Sequence, residues 1–211
     1  MNIVKSVIEF VMDILETIVF IGSLFIVIYL FIMQPNQVKG ASMDPSFNSG
    51  DYILTSKITY KFNPVKRGDV VVFKSPKNPD IDYIKRVIGL PGDKITIRDK
   101  NVFINDVIID ESYIADKTNV WEGGYSKDGI PSTIPDDYIF VMGDNRTRSS
   151  DSREFGPVPV SSIIGHVFFR YFPADKTGLI INPWPEKLQS NQSLNINFFI
   201  NPLTKNFHQS S

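Results

Sequence analysis

The sequence predicts a mainly β protein in which one N-terminal membrane helix precedes an antiparallel sheet or barrel-like domain. Short runs rich in β-branched and aromatic residues recur between turn-forming residues after Pro35. No run with helical periodicity follows position 33, except a turn around "PVSSI". Strands without intervening helices favour antiparallel pairing over a parallel α/β sheet. An apolar run at the N-terminus completes the pattern.

Residues 1–33 have the composition of a membrane anchor. The stretch "TIVFIGSLFIVIYLFIM", residues 17–33, carries no charge. At about 1.5 Å per residue it covers roughly 25 Å, most of a bilayer core. A cleaved signal peptide is the alternative, but its apolar region is typically shorter. Moreover, acidic residues (Glu9, Asp13 and Glu16) precede the run, and no small-X-small cleavage pattern follows closely. We therefore expect a retained, single-pass anchor, and basic residues on its two sides are too balanced to set its orientation.

Residues 34–185 are expected to form the β domain. Seven runs are predicted strands: "DYILTS", "DVVVFKS", "DYIKRVIG", "KITIR", "NVFIN", "YIFVMG" and "IIGHVFFRYFP". Asp99 and Lys100 are predicted to form the turn of a hairpin. Residues 110–137, rich in Gly, Ser, Lys and Asp, are expected to leave the sheet as a long excursion. Residues 186–211, rich in Asn, Gln and Ser, are expected to form a loosely ordered tail.

Composition excludes several classes of function. The formal net charge of −1 argues against nucleic acid as the main partner, because phosphate binding needs a basic face. The chain has no cysteine, which excludes disulfides, thiol catalysis and zinc sites built on cysteine. We find no motif for a metal or another cofactor, so none is expected.

Ser42 is the candidate nucleophile, and it needs a base within hydrogen-bond distance. The chain has two histidines, the usual bases for serine. His208 lies in the polar tail, an unsuitable place for a fixed catalytic group. His166 lies inside a predicted strand, where a structural or surface histidine is the better interpretation. A histidine-based triad is therefore weakly supported.

A buried lysine is the alternative base, and Lys85 in "DYIKRVIG" fits best because it lies inside an apolar strand. Unperturbed lysine has a pKa near ~10.4, and burial disfavours the ammonium form. A drop of about three pH units corresponds to roughly 4 kcal/mol, which an apolar site can impose. The alternative for Lys85 is an ordinary outward-facing strand residue.

Three stretches, "GASMDPSFNSGDYI", "YIKRVIGLPGD" and "VMGDNRTRSSDSREFGPVP", together resemble the successive motifs of bacterial type I signal peptidases. The resemblance extends from the anchor to about Pro173, in the family's order. These are membrane-anchored Ser/Lys proteases that remove signal peptides from exported preproteins. The resemblance implies a β-rich catalytic domain of signal-peptidase type on the extracytoplasmic face of the cell membrane.

The resemblance assigns roles by position. Ser42 is implied as the nucleophile and Lys85 as the general base. Ser149 is implied to hydrogen-bond the lysine amine and orient it. Asp151 and Arg153 match the family's acidic and basic pair, which holds this loop against the active site. The alternative interpretation of these two residues is an ordinary surface ion pair.

The same motifs also imply which residues form the turn before Ser149 and which groups bind the oxyanion. Asp144 and Asn145 are implied to make the turn that delivers Ser149. Gly40 stands where some members have a serine that helps bind the oxyanion. The oxyanion site is therefore expected to depend on the backbone N–H of Ser42, with the region around Gly40.

The resemblance also implies how the substrate binds. An extended segment is expected to add as a strand between the residues before Ser42 and those before Lys85, and shallow pockets would select Ala-x-Ala before the cut. The implied pocket residues are Val38, Gly40, Met43, Phe47, Tyr83 and Ile84. The expected partners are preproteins with signal peptides and the lipid bilayer, and no oligomer is required.

Three other functions remain as alternatives. A self-cleaving Ser/Lys repressor shares the dyad, but it needs a DNA-binding segment where this chain has a membrane-length run. A membrane-tethered β module that only binds partners is opposed by the intact dyad. A specialised processing protease of a conjugation or pilus system is compatible with the sequence.

Overall fold

A computed structural model describes residues 2–184, and it begins with one long helix that leads directly into a sheet. Helix α1 spans Asn2–Val27, and a π-helical turn, Ile28–Ile32, continues it. By length and composition alone, Ile3–Ile32 is long and apolar enough to cross a membrane. None of its most apolar window is buried against the rest of the chain. The predicted tail, residues 186–211 with His208, lies outside the described residues.

Antiparallel strands are the main regular secondary structure of the domain that follows. Within the described residues they are β1 (Met33–Gln37), β2 (Tyr52–Ser56), β3 (Val70–Lys74), β4 (Asp82–Gly89), β5 (Lys94–Arg98), β6 (Asn101–Ile104), β7 (Val107–Ile108), β8 (Ser132–Thr133), β9 (Tyr138–Met142), β10 (Val158–Pro159), β11 (Ile163–Phe172) and β12 (Gly178–Leu179). Two four-residue helices, α2 (Thr59–Phe62) and α3 (Ser152–Phe155), lie between strands.

The strands form two sheets, which confirms the predicted fold class. The larger sheet has the order β1-β2-β11-β3-β4-β9-β10, with β12 beside β11. The smaller sheet has the order β7-β6-β5-β8. All their pairings are antiparallel.

All seven predicted strands are present, and so is the predicted hairpin. Arg98 pairs with Asn101 across the turn, and Asp99 and Lys100 have φ angles of 50° and 61°. β1 begins at Met33, ahead of the seven predicted strands, and was not among them. Pro35 is tolerated there because β1 is an edge strand, where a missing N–H breaks no ladder on the open side.

The predicted excursion, residues 110–137, does leave the larger sheet, but it returns to pack on a loop near Ser149. Only β8 within it pairs with a strand, namely β5 of the smaller sheet. Ser126 N–H donates to the Arg153 carbonyl at 2.9 Å, and Tyr125 N–H donates to the Glu154 carbonyl at 3.1 Å. Arg153 Nη1 in turn donates to the Asn119 carbonyl at 2.9 Å. The excursion thus supports helix α3, which contains Arg153.

Candidate active site

Ser42 and Lys85 are adjacent, although 43 residues separate them in the chain. Lys85 Nζ lies 2.8 Å from Ser42 Oγ, and it also donates to the Ile84 carbonyl at 2.9 Å. Lys85 is on β4, in register with Val71 of β3, and it is 3% exposed. Ser42 follows β1 in a turn and is partly exposed. Lys85 is therefore the buried member of this pair, and Ser42 is the more accessible one.

Burial lowers the pKa of Lys85 from 10.5 to about 8. Loss of hydration is the largest cause, because it penalises the ammonium form. The carboxylates of Asp151 and Asp144 act in the opposite direction, and Arg153 acts with burial. With a pKa of about 8, roughly one lysine in ten is a free amine at pH 7. The alternative of an outward-facing strand lysine is therefore wrong.

Ser149 and the backbone of Ser42 both lie close to Gly143. A Cβ at Gly143 would be 2.2 Å from Ser149 Oγ and 2.3 Å from the Ser42 carbonyl oxygen, so only glycine permits this approach. Ser149 Oγ is buried and forms no hydrogen bond of ordinary geometry within residues 2–184, although it lies near enough to Asp151 to help lower the pKa of that carboxyl. The implied hydrogen bond from Ser149 to the amine of Lys85 stays a prediction.

Asp151 and Arg153 form a buried, bidentate ion pair rather than a surface one. Both side chains are 0% exposed, and Arg153 Nε and Nη2 donate to the carboxylate at 2.9 and 2.8 Å. Gly143 N–H donates to Asp151 Oδ2 at 3.0 Å. Burial alone would raise the pKa of the Asp151 carboxyl, but Arg153 and Gly143 N–H together hold it below its ordinary value. The pair therefore fixes the position of the Gly143 backbone beside the dyad.

Asp144 and Asn145 connect this turn to both members of the dyad. Asn145 N–H donates to the Ser42 carbonyl at 3.1 Å. Asp144 accepts from Arg86 Nε and Nη2 at 2.9 and 2.6 Å, and Arg86 directly follows Lys85. The Gly-Asp-Asn turn is thus hydrogen-bonded to the loop that contains Ser42 and to the strand that contains Lys85.

A second buried arginine, Arg146, supports the same turn and was not predicted from the sequence. Its Nε donates to the Gly143 carbonyl at 3.1 Å, and its Nη1 donates to Glu111 Oε2 at 2.8 Å. It also donates to Thr118 Oγ1. Its position immediately after the Gly-Asp-Asn sequence was the available signal. Glu111 and Thr118 had none, because they lie in the irregular excursion.

Four of the six predicted pocket residues are brought together. Val38, Met43 and Phe47 are buried in one apolar cluster, and Ile84 packs against it. Tyr83 belongs to a different cluster, with Phe73 and Phe155, although its ring centre is 5.1 Å from Lys85 Nζ. Gly40 is exposed, with φ +84° and open space where a Cβ would stand.

The strand that contains Lys85 has one unpaired edge beside the pocket. β3 pairs with β4 from Asp82 to Arg86. On the other side, β9 pairs with β4 only from Arg86 to Gly89. In the described part of the chain, no strand occupies the second edge of residues 82–85. An extended peptide can pair with this free edge of β4, beside Lys85.

His166 lies on β11 and does not contact Ser42. It pairs in register with Val71 and Ser56, and its Nε2 is 3.9 Å from Asp69 Oδ1. Burial lowers its pKa, and Asp69 acts in the opposite direction. The interpretation as a structural strand histidine is consistent with this position.

Comparison with known proteins gives one consistent result. The sequence profile of the family described as "Signal peptidase, peptidase S26" matches residues 11–172. Signal peptidase I of Bacillus caldolyticus is 38% identical over 151 residues, which cover 68% of this chain and 82% of that protein. Signal peptidase IB of Staphylococcus aureus is 34% identical over 185 residues, which cover 81% of this chain and 96% of that protein.

A crystal structure of a signal peptidase I from Enterococcus faecalis is also similar, with 34% sequence identity and a TM-score of 0.41. The match covers 49% of this chain and 97% of that one.

Proposed function

Because this chain belongs to the signal peptidase family, peptidase S26, we propose that Ser42 and Lys85 form its catalytic dyad and cleave signal peptides from preproteins. It is a serine endopeptidase of the signal peptidase I type, an enzyme class that acts on preproteins with signal peptides. The observation that supports the dyad most strongly is the 2.8 Å contact between Ser42 Oγ and the amine of a lysine that is 3% exposed.

The reaction begins when the neutral amine of Lys85 takes the Ser42 hydroxyl proton as Oγ attacks the substrate carbonyl carbon. The ammonium so formed gives a proton to the leaving amine, and an ester joins the signal peptide to Ser42. Lys85 then takes a proton from a water molecule whose oxygen attacks the ester carbon, and it returns that proton to Ser42 Oγ as the bond to the signal peptide breaks. Buried Asp144 and Asp151 stabilise the transient ammonium, since both carboxylates favour the charged form of Lys85.

The oxyanion is bound by the backbone N–H of Ser42. This N–H donates to no other group within residues 2–184, whereas the N–H of Gly40 is directed to Ser49 Oγ at 3.3 Å. One such donor is typically worth about 3 kcal/mol of transition-state stabilisation.

The substrate binds as an added strand on the open edge of β4, with its backbone hydrogen-bonded to residues 82–84. The side chain before the cleaved bond enters the apolar cluster of Val38, Met43 and Phe47. These walls are already closely packed, since Met43 is 0% and Phe47 is 2% exposed. We therefore propose a preference for small side chains, as in Ala-x-Ala.

Helix α1 serves as a retained anchor that holds the site at the extracytoplasmic surface of the cell membrane. The strand β1 starts directly after the π-helical turn that continues α1, and it pairs with β2 along its whole length. Lys57 N–H donates to the Ile32 carbonyl at 2.8 Å, so the end of the helix is bonded to the sheet. Tethering raises the effective concentration of membrane-bound substrate. The extracytoplasmic orientation is part of this proposal, and it rests on the family resemblance.

The test is cleavage of a preprotein with an Ala-x-Ala signal sequence by the full chain in detergent. We expect cleavage by the unaltered protein and none by Ser42→Ala or Lys85→Ala. Lys61→Ala, at an exposed lysine of α2, is the matched control and should cleave normally. Normal cleavage by either dyad variant would refute the assignment. An inactive unaltered chain would favour a non-catalytic module.

A further inference from the structure

The turn that follows Ser42 is fastened to β11 by one side chain, Arg170. Its Nη1 donates to the Ser46 carbonyl and to Asp51 Oδ2, each at 2.9 Å. The Arg170 side chain is 16% exposed and that of Asp51 is 4% exposed. One guanidinium group therefore binds both the middle and the end of residues 42–51, from more than a hundred residues away in the chain.

Two further contacts involve this guanidinium group. Nε donates to the Lys176 carbonyl at 2.9 Å, and Cζ lies 5.4 Å from the centre of the Phe47 ring. Lys176 Nζ in turn donates to Asn48 Oδ1 at 2.7 Å. Only arginine has a planar group whose fixed donors satisfy several acceptors while one face covers a ring. The contact set thus suits arginine and not lysine.

The fastened turn contains the walls of the apolar pocket. Phe47 N–H donates to the Met43 carbonyl at 2.9 Å, and Met43 directly follows Ser42. Val38 N–H donates to the Asp51 carbonyl at 2.8 Å, which connects the end of the turn to the residues before Ser42. A displacement of the turn would therefore move both Met43 and the backbone N–H of Ser42.

We propose that Arg170 is a positioning residue for the reaction, which acts by fixing the turn after Ser42. It touches no reacting atom. It sets the direction of the Ser42 backbone N–H and the width of the pocket between Met43 and Phe47. This role rests on the proposed peptidase activity. A misplacement of about 1 Å can lower a rate by about 100-fold, so we expect Arg170→Met to lower kcat/KM by about 10- to 100-fold.

The experiment uses the full chain in detergent and two peptides that differ only in Ala or Val before the cleaved bond. Arg170→Met should lower kcat more than it raises KM, and it should reduce the preference for Ala over Val. The pH midpoint of the reaction should not change, because Arg170 does not contact Lys85. Arg170→Lys should recover part of the selectivity. Arg98→Met is the matched control, because Arg98 also covers a ring, that of Phe103 at 4.2 Å, but in the smaller sheet.

Loss of Arg170 also leaves the carboxylate of Asp51 buried without its partner, which could lower stability by itself. The double variant Asp51→Asn with Arg170→Met removes that charge. We expect it to regain thermal stability but not the preference for Ala over Val. Recovery of both properties in the double variant would show a purely structural role and would overturn the proposal.

The remaining outcomes separate this proposal from the proposed function. Cleavage by Arg170→Met with unchanged kcat and selectivity would overturn the role of Arg170 alone. Absence of cleavage by the unaltered chain would overturn the peptidase assignment, and the role of Arg170 with it.

Discussion

At the scale of single residues, the position of Lys85 determines which chemistry Ser42 can perform. The lysine lies within β4 and is 3% exposed, so its ammonium form loses most of its hydration. The carboxylates of Asp144 and Asp151 limit how far burial lowers the pKa of Lys85, but each carboxylate is also bonded to an arginine. The result is an amine whose pKa of about 8 suits a base at neutral pH.

The first prediction concerns the pH dependence of cleavage. In the proposed mechanism the neutral amine of Lys85 is the active form, so kcat/KM should rise with pH through a midpoint near its pKa of about 8 and then level off. Initial rates with a neutral peptide from pH 6 to 10 provide the measurement. A rate that still rises steadily at pH 10 would contradict a buried base, and so would a midpoint near 6.5, the value of histidine.

The same lysine should reduce the stability of the folded protein. Its pKa is lowered on folding, so between pH 8 and 10.5 the unfolded chain binds more protons and stability rises with pH. Below pH 8 the full penalty applies, roughly 3 kcal/mol from the shift. Lys85→Met should therefore be more stable than the unaltered chain at pH 7, and the difference should shrink towards pH 10.5. Denaturant unfolding at both pH values tests this, with Lys61→Met as the control that should show no such trend.

Gly143 provides a third prediction at this scale. A Cβ there would lie 2.3 Å from the backbone oxygen of Ser42 and 2.2 Å from Ser149 Oγ, so the turn must move. Gly143→Ala should lower stability by about 1–3 kcal/mol, the usual cost of overpacking, and should lower kcat severely. Gly178→Ala is the control, because nothing lies within 4 Å of its Cβ position. Equal activity of the two variants would show that the approach of these backbones is unimportant.

At the scale of elements, the strands were predictable because β-branched and aromatic runs between turn-forming residues are a local signal. The seven runs rich in Val, Ile and aromatic residues all form strands, and Asp99 and Lys100 form the hairpin turn. The two-residue strands and α3 were not predicted, since so few residues give no periodic signal. Ser42, Lys85, Asp144 and Asp151 could be identified from their motifs. Arg146 and Arg170 were missed because distant contacts, with Glu111 and Asp51, define their roles.

The hairpin turn allows a prediction about stability alone. Asp99 and Lys100 both have positive φ angles, which Asn-Gly adopts more readily in a two-residue turn. Replacing the pair with Asn-Gly should raise the free energy of unfolding by about 0.5–1 kcal/mol. Peptide cleavage should stay unchanged, because the turn lies in the smaller sheet. A drop in stability would contradict the turn geometry described above.

At the scale of the whole molecule, the long N-terminal helix and the β domain are joined, but within residues 2–184 the apolar part of the helix does not pack on the domain. The most apolar window of the helix is 0% buried, whereas β1 is an integral strand of the larger sheet. Among the described residues, the hydrogen bonds between helix and sheet lie at the helix end, where Lys57 Nζ donates to the Tyr29 carbonyl at 3.2 Å. The domain should therefore keep its fold when most of the helix is absent.

Deletion of residues 2–27 tests that expectation. The shortened chain should keep its dyad and cleave a soluble peptide within a few-fold of the full chain. It should lose sedimentation with vesicles, and its cleavage of a membrane-inserted preprotein should fall much further, because tethering no longer concentrates the substrate. Equal losses on both substrates would show that the helix stabilises the domain itself.

Because the helix continues directly into β1, the distance between the helix end and the β domain is fixed. Five strand residues, Met33–Gln37, at about 3.3 Å each, extend roughly 16 Å from the end of the helix towards Ser42. Within the described residues no flexible linker separates the helix from β1, so, on the proposed function, we expect the site of cleavage to lie at a set distance from the lipid. A preprotein would then be selected partly by the number of extended residues between its own hydrophobic segment and the scissile bond.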